Sequence, residues 1–96
     1  MFDNERYITC GIEAAIPPIL QLLLWHLIDQ RRQTSVELDY LQVFALEGTN
    51  LPDIGRVQKI THSQDEGFLA GMKPIAAKIF VIDDGGHSTM LLADEY

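Results

Sequence analysis

Ninety-six residues provide material for one domain, spanning residues 1–96, with a single core. The hydrophobic fraction of 47% and the charged fraction of 22% are those of a globular protein and exclude a disordered chain. The net charge of -7 comes from acidic residues spread along the chain. Because such a surface repels phosphate backbones, nucleic acid is disfavoured as a partner.

The cysteine content and the hydropathy of the chain indicate in which cellular compartment the protein is located. Cys10 is the sole cysteine, so the fold does not depend on an oxidising environment. Residues 1–11 carry several charges without an apolar run, which argues against a signal peptide. The apolar stretch around residues 22–25 is too short and too interrupted to span a bilayer, so no membrane partner is expected. These features predict a cytoplasmic protein.

The first third of the chain predicts one strand and one helix. Residues 6–9 alternate and are rich in strand-forming residues, which indicates a short strand ending near Gly11. Pro17-Pro18 opens a helix, because proline is tolerated in the first helical turn. The helix is expected to run to about Arg32, with residues 33–35 as its exit.

The middle of the chain predicts two strands and a loop. Residues 39–46 form the second strand, closed by Gly48 and a turn over residues 49–55. Residues 56–63 form a third, more polar strand. Residues 64–74 contain two glycines and a proline and are interpreted as a loop or a broken turn.

A hairpin is the strongest local prediction. Residues 79–82 and 89–93 are apolar runs that flank Asp83-Asp84-Gly85-Gly86, and adjacent Asp and Gly residues favour a tight turn. The two strands of this hairpin are predicted over residues 78–83 and 88–94. The predicted fold is therefore α+β: one long helix packed on a mostly antiparallel sheet of four to five strands, with a C-terminal β-hairpin.

Both the helix and the hairpin carry more apolar surface than one helix-on-sheet layer buries. The helix has a continuous apolar arc, yet further apolar side chains project from its other side. The hairpin is apolar on both faces, whereas a half-solvated hairpin alternates apolar and polar residues. The surplus predicts an interface formed by Ile19, Leu22, Trp25, Phe80, Ile82 and Leu91.

Two explanations of this surplus stay open. The first is a homodimer that buries either the second sheet face or the Trp25 side of the helix. The second is that the loop over residues 64–74, with Phe68, Leu69 and Met72, folds over the excess surface.

Candidate chemistry gathers at the hairpin tip. Asp83, Asp84 and His87 combine carboxylates with an imidazole, groups that bind divalent metals or transfer protons. A purely structural turn explains the same residues, since Asp and Gly are preferred turn residues. His62 would add a second imidazole if the end of its strand lies near the hairpin, making His62, Asp84 and His87 the candidate metal ligands. No cofactor motif is present.

The segments MFDNERYITCGI, IPP…LQ…LW…ID, DYLQVF and IDDGGHSTMLLADEY together resemble a small uncharacterised family of low-GC Gram-positive bacteria, a domain of unknown function. The resemblance implies a small intracellular bacterial protein of α+β fold and supplies no catalytic residue. The preferred hypothesis is a non-enzymatic homodimeric protein-interaction module with a possible second protein partner. The alternative is a metal-binding protein or small enzyme with its site at Asp83, Asp84 and His87.

Overall fold

A computed structural model describes residues 1–34 and 37–96 of the chain. These residues contain a sheet, two α-helices and a short 3₁₀ helix. In chain order the elements are β1 (Glu5–Ile8), α1 (Cys10–Ala15), α2 (Pro18–Gln33), β2 (Leu41–Leu51), β3 (Gly55–His62), β4 (Asp65–Leu69), β5 (Ala77–Asp83), β6 (His87–Leu92) and the 3₁₀ helix (Ala93–Glu95).

The sheet has six strands in the order β1-β6-β5-β2-β3-β4 and is mixed. β1 pairs with β6 in parallel, with Tyr7 opposite Thr89. β2 pairs with β3 and β3 with β4, both antiparallel. The prediction of a mostly antiparallel sheet of four to five strands is therefore wrong, although the observed elements agree broadly with a helix-on-sheet α+β fold.

Strand β4 corrects the prediction of a loop over residues 64–74. It pairs with β3 from His62 opposite Asp65 to Gln58 opposite Leu69. Its sequence, DEGFL, lacks apolar alternation, and four of its five residues are exposed. Because the strand lies at the edge of the sheet, backbone pairing stabilises it and no buried face leaves a pattern in the sequence. Phe68 is 49% exposed, so it does not act as a covering loop residue.

The helices are set by Thr9 and the two prolines. The Thr9 hydroxyl accepts the Ile12 N–H at 3.3 Å and caps α1, which the sequence interpretation missed. α1 ends before Pro17, consistent with the restricted backbone of a residue that precedes proline. α2 begins at Pro18 and ends at Gln33, one residue beyond the predicted end. Of the predicted exit, residue 35 lies outside the described part of the chain.

The described chain divides into two compact units. Unit 1 comprises Met1–Gln42 and Phe80–Tyr96, and unit 2 comprises Val43–Ile79. The core of unit 1 combines both helices, the N-terminal segment and the hairpin; its fully buried side chains include Phe2, Ile12, Leu20, Leu24, Ile28, Val81 and Met90. No helix among the described residues is both long enough and apolar enough to cross a bilayer.

In unit 2 the side-chain amide of Gln58 makes hydrogen bonds to the backbone of Ile75, much as a neighbouring strand would. Gln58 is fully buried on β3. Its side-chain oxygen accepts the Ile75 N–H at 2.8 Å, and its nitrogen lies 3.0 Å from the Ile75 carbonyl oxygen. The same nitrogen lies 3.0 Å from the Glu47 carbonyl oxygen. Gln58 thus satisfies both backbone groups of a residue that belongs to no strand.

Candidate functional site

Asp84 builds the turn of the hairpin. Its backbone N–H donates to the His87 carbonyl at 3.1 Å, which closes the loop around Gly85-Gly86. Its side-chain Oδ1 accepts the N–H groups of His87 and Gly86, both at 3.0 Å. These donors, the His87 N–H first, lower the pKa of the Asp84 carboxyl. Gly85 has a φ of 98°, a value that favours glycine.

Asp83 is buried and joins the turn to the N-terminal segment. Its carboxylate accepts the Phe2 N–H at 2.7 Å, the Gly85 N–H at 2.8 Å and the Asn4 side-chain amide at 3.1 Å. These bonds, led by that of Phe2, lower the pKa of Asp83. Both oxygens of this carboxylate are therefore engaged, with the N-terminal segment and with the turn.

His87 lies in a row of polar side chains, which we call the hairpin-tip row: Glu5, Tyr7, His87 and Asp84. His87 Nε2 is 3.1 Å from Asp84 Oδ2, and the Tyr7 ring meets the imidazole edge-on with 5.2 Å between centroids. The Tyr7 hydroxyl donates to the Glu5 carboxylate, which raises the pKa of Tyr7. The parallel pairing of β1 with β6 creates this row, since it sets Glu5 opposite His87.

The hairpin-tip row can orient an imidazole for proton transfer, but it is exposed and lacks a paired hydroxyl nucleophile. Ser88, the neighbour of His87, is fully buried on the opposite face and its hydroxyl donates to Asn4 Oδ1 at 2.6 Å. This opposition of neighbours is the normal alternation of a strand.

His62 is in unit 2, whereas Asp84 and His87 are in unit 1. Its ring is buried and stacks on Phe44 with 4.2 Å between centroids. Across residues 1–34 and 37–96, no three His, Cys, Asp or Glu side chains are grouped closely enough to hold a metal ion. His62, Asp84 and His87 are therefore not among any such group in the described residues.

An open cleft of about 630 Å³ lies beside the C-terminal end of α2. Its lining is mainly polar, and Arg32 within it is bonded to Asp29 at 3.1 Å. Small-molecule sites are typically lined by apolar and aromatic side chains, so this cleft does not resemble one. The lining residues are Met1, Asp29, Arg32, Gln33, Glu37 and Leu38.

The predicted interface residues of α2 differ in exposure. Ile19 is 59% exposed and Leu22 is 66% exposed. Trp25 is only 9% exposed, and the Arg6 guanidinium lies 4.8 Å from the centroid of its ring. Arg6 is held there by hydrogen bonds to the Asp29 carboxylate, which lower the pKa of Asp29. The open apolar surface of α2 is therefore carried by Ile19 and Leu22.

The predicted interface residues of the hairpin are more covered. Leu91 is 9% exposed, and Phe80 and Ile82 are half-buried. The Tyr96 ring meets the Phe80 ring edge-on with 5.7 Å between centroids. Part of this face is thus shielded by the chain itself.

Sequence reasoning missed Glu5, Tyr7 and Arg6 as members of these clusters. The contact between Tyr7 and His87 depends on a parallel strand pair formed by the two ends of the chain. Arg6 and Trp25 belong to different elements, and no local spacing relates them. A charged residue on a strand otherwise rich in Tyr and Ile was the available signal for Arg6, because such a residue needs a partner when it is half-buried.

Residues 5–95 match a family model described as "Staphylococcal protein of unknown function" (DUF960). The chain belongs to this family. The family description confirms the resemblance to an uncharacterised family of low-GC Gram-positive bacteria and agrees with a bacterial origin. No curated protein matches the chain.

A solved structure supports the fold independently. It is titled "Crystal structure of the protein of unknown function from Enterococcus faecalis" and is 23% identical to this chain. The match covers 98% of this chain and 92% of that one, with a TM-score of 0.70. At this identity the likeness establishes a shared fold.

Proposed function

We propose that this member of the family is a non-enzymatic, homodimeric protein-interaction module. The observation that carries the proposal is the apolar surface left open on α2, where Ile19 and Leu22 are 59% and 66% exposed. Exposed apolar side chains one helical turn apart can form the kind of patch through which proteins bind one another. Their own helix already buries Leu20, Leu24 and Ile28, so the open pair is not needed for the core.

The electrostatics of the hairpin-tip row agree with a binding role. Asp83 Oδ2 accepts the Phe2 N–H, Asp84 Oδ1 accepts the N–H groups of Gly86 and His87, and Asp84 Oδ2 faces His87 Nε2 at 3.1 Å. Tyr7 and His87 remain partly exposed beside them, and aromatic residues are enriched where proteins meet. This row is the place we propose for a second protein partner. We also propose a cytoplasmic location, because Cys10 is free and exposed and reducing compartments preserve such thiols.

The oligomeric state tests the proposal. Sedimentation velocity of the full chain, from about 1 to about 100 µM, is expected to show a shift from monomer to dimer, because standard-sized interfaces reach micromolar affinity. A monomer at the highest concentration contradicts the proposal.

A further inference from the structure

We infer that a second copy of this chain docks on the outer stripe of α2, formed by Ile19, Leu22 and His26. This inference rests on the proposed function, and it chooses between the two surfaces that the sequence left open, the helix and the second face of the sheet. The hairpin face is the weaker candidate, because Leu91 is 9% exposed and Tyr96 already contacts Phe80.

The three residues form one continuous stripe. They are spaced i, i+3 and i+7 on α2, and all three are exposed. At 100° per residue they share an arc of roughly 60°, and its centre lies roughly 165° from the buried row of Leu20, Leu24 and Ile28. The stripe therefore faces directly away from the core that α2 helps to build in unit 1.

The distribution of charge favours a second copy over a basic partner as the occupant. The chain has a net charge of -7, so two copies repel each other over most of their surface. Between Glu13 and Asp29, however, the sequence has no Asp, Glu, Lys or Arg. A basic partner would find no carboxylate to pair with on this stripe, whereas a second copy meets a surface as neutral as its own. Self-contact costs least here, because no charge has to be desolvated.

If both copies use the same stripe of α2, the contact between them has two-fold symmetry. In an isologous dimer, residue i contacts residue j and j contacts i, so one residue of the stripe lies near the axis. Leu22 is the most exposed apolar residue of the stripe and is near its midpoint. If the helices cross antiparallel, Leu22 meets its own copy and Ile19 approaches His26 of the second copy.

Leu22→Glu tests the inference, with Phe68→Glu as the matched control. Phe68 is also exposed, at 49%, and lies on the edge strand β4 of unit 2. Leu22→Glu introduces a charge into the proposed contact in each copy and is expected to raise the dimer dissociation constant at least roughly 30-fold. Phe68→Glu is expected to leave it within about twofold of the wild-type value. Circular dichroism checks that both variants are folded.

The outcomes separate the inference from the proposed function. A wild-type chain that is monomeric removes the proposed function and the inference with it. A wild-type dimer that survives Leu22→Glu, or that Phe68→Glu dissociates, overturns the inference and leaves the dimer in place on another surface.

Cross-linking tests independently whether Leu22 lies at the two-fold axis of the dimer. In a Cys10→Ser background, Leu22→Cys places a single thiol at the proposed axis, and mild oxidation with a copper–phenanthroline catalyst is expected to join two chains by a disulfide. Phe68→Cys in the same background serves as the control and is expected to stay largely uncross-linked. Equal cross-linking of the two variants contradicts an axis at Leu22.

Discussion

Asp83 shows how one buried carboxylate of the hairpin holds a distant part of the chain. It binds the backbone of Phe2, which is fully buried and has a φ of 62°. A left-handed backbone is unusual for an aromatic residue and needs compensation from its surroundings. The hydrogen bond from the Phe2 N–H to Asp83 offsets part of the cost of this left-handed backbone.

Replacing Asp83 with Asn is expected to lower the free energy of unfolding at pH 7 by about 2 kcal/mol, the usual worth of hydrogen bonds to a charged group. The pKa of Asp83 is lowered in the folded chain, so its contribution is fully present above the unfolded pKa of about 3.9. It is lost as the pH falls through the lower, folded pKa. Urea unfolding from pH 7 down to pH 2 measures this.

The expected signature is a difference between wild type and Asp83→Asn that shrinks in acid. Asp94→Asn removes a charge from an exposed carboxylate and controls for net charge. A difference that stays constant down to pH 2 would assign the effect to shape rather than to the ionised carboxylate.

At the residue scale the sequence predicted the turn but not the distant residues that its side chains bind. Asp and Gly beside each other predicted the tight loop that Asp84 closes. The acceptor role of Asp83 toward Phe2 joins residues 81 positions apart, and no local pattern encodes such a contact.

At the scale of elements, the 3₁₀ helix and α1 are joined by one carboxylate. Glu95 accepts from the Thr9 hydroxyl at 2.7 Å, from the Leu92 N–H at 2.8 Å and from the Gly11 N–H at 3.3 Å. These bonds, led by that of Thr9, lower the pKa of Glu95. A Cβ at Gly11 would lie 2.6 Å from the same carboxylate, so glycine is what allows this approach.

A double-mutant cycle of Gly11→Ala and Glu95→Ala tests this link. In the Glu95→Ala background, Gly11→Ala is expected to stabilise the chain by up to about 1 kcal/mol, the helix-propensity gain of alanine over glycine. In the wild type the gain is expected to disappear or to reverse, because the new methyl group displaces the carboxylate from its donors. Thermal or urea unfolding of the four chains measures the coupling.

Equal effects of Gly11→Ala in both backgrounds would show that Glu95 does not hold α1.

Elements with strong local signals were predicted and those without them were missed. α2 has sixteen residues, a proline start and an apolar arc, and its predicted end differs by one residue. α1 has only six residues and depends on the Thr9 cap and on packing, so its periodicity is too short to detect. β1 was predicted as a strand, but its parallel partner β6 lies at the other end of the sequence.

At the scale of the whole molecule, net charge governs how two copies approach. Each chain carries -7, and the proposed contact contains no ionised group. Raising the salt concentration from about 20 to about 500 mM shortens the Debye length severalfold and screens the repulsion. The dimer dissociation constant is therefore expected to fall as salt increases, as measured by sedimentation equilibrium.

A dissociation constant that rises with salt would indicate ion pairs across the interface and would contradict a neutral contact. Leu22→Gln is a useful companion, since it keeps the stripe uncharged while removing its central apolar side chain. Its dissociation constant is expected to be higher than that of the wild type and to keep the same direction of salt dependence.

The exposed surface of α2 was predicted in part, because helical periodicity shows on which side of a helix each residue lies. Helical spacing identified Ile19 and Leu22 on the side of α2 away from its apolar arc. It assigned Trp25 to that side too, but the Arg6 guanidinium, on strand β1, lies over the Trp25 ring. Periodicity reports the direction of a side chain on its own helix and carries no information on what the rest of the fold brings against it.

The Gln58 clamp has a consequence for how this sequence can diverge. Gln58 binds main-chain atoms of Ile75, which every residue other than proline possesses, so it tolerates exchange of the side chains around residue 75. A gain or loss of one residue there would move the clamped peptide group out of reach. In relatives that share this arrangement, we therefore expect the side chains around residue 75 to vary. The number of residues between that position and the glutamine is expected to stay the same.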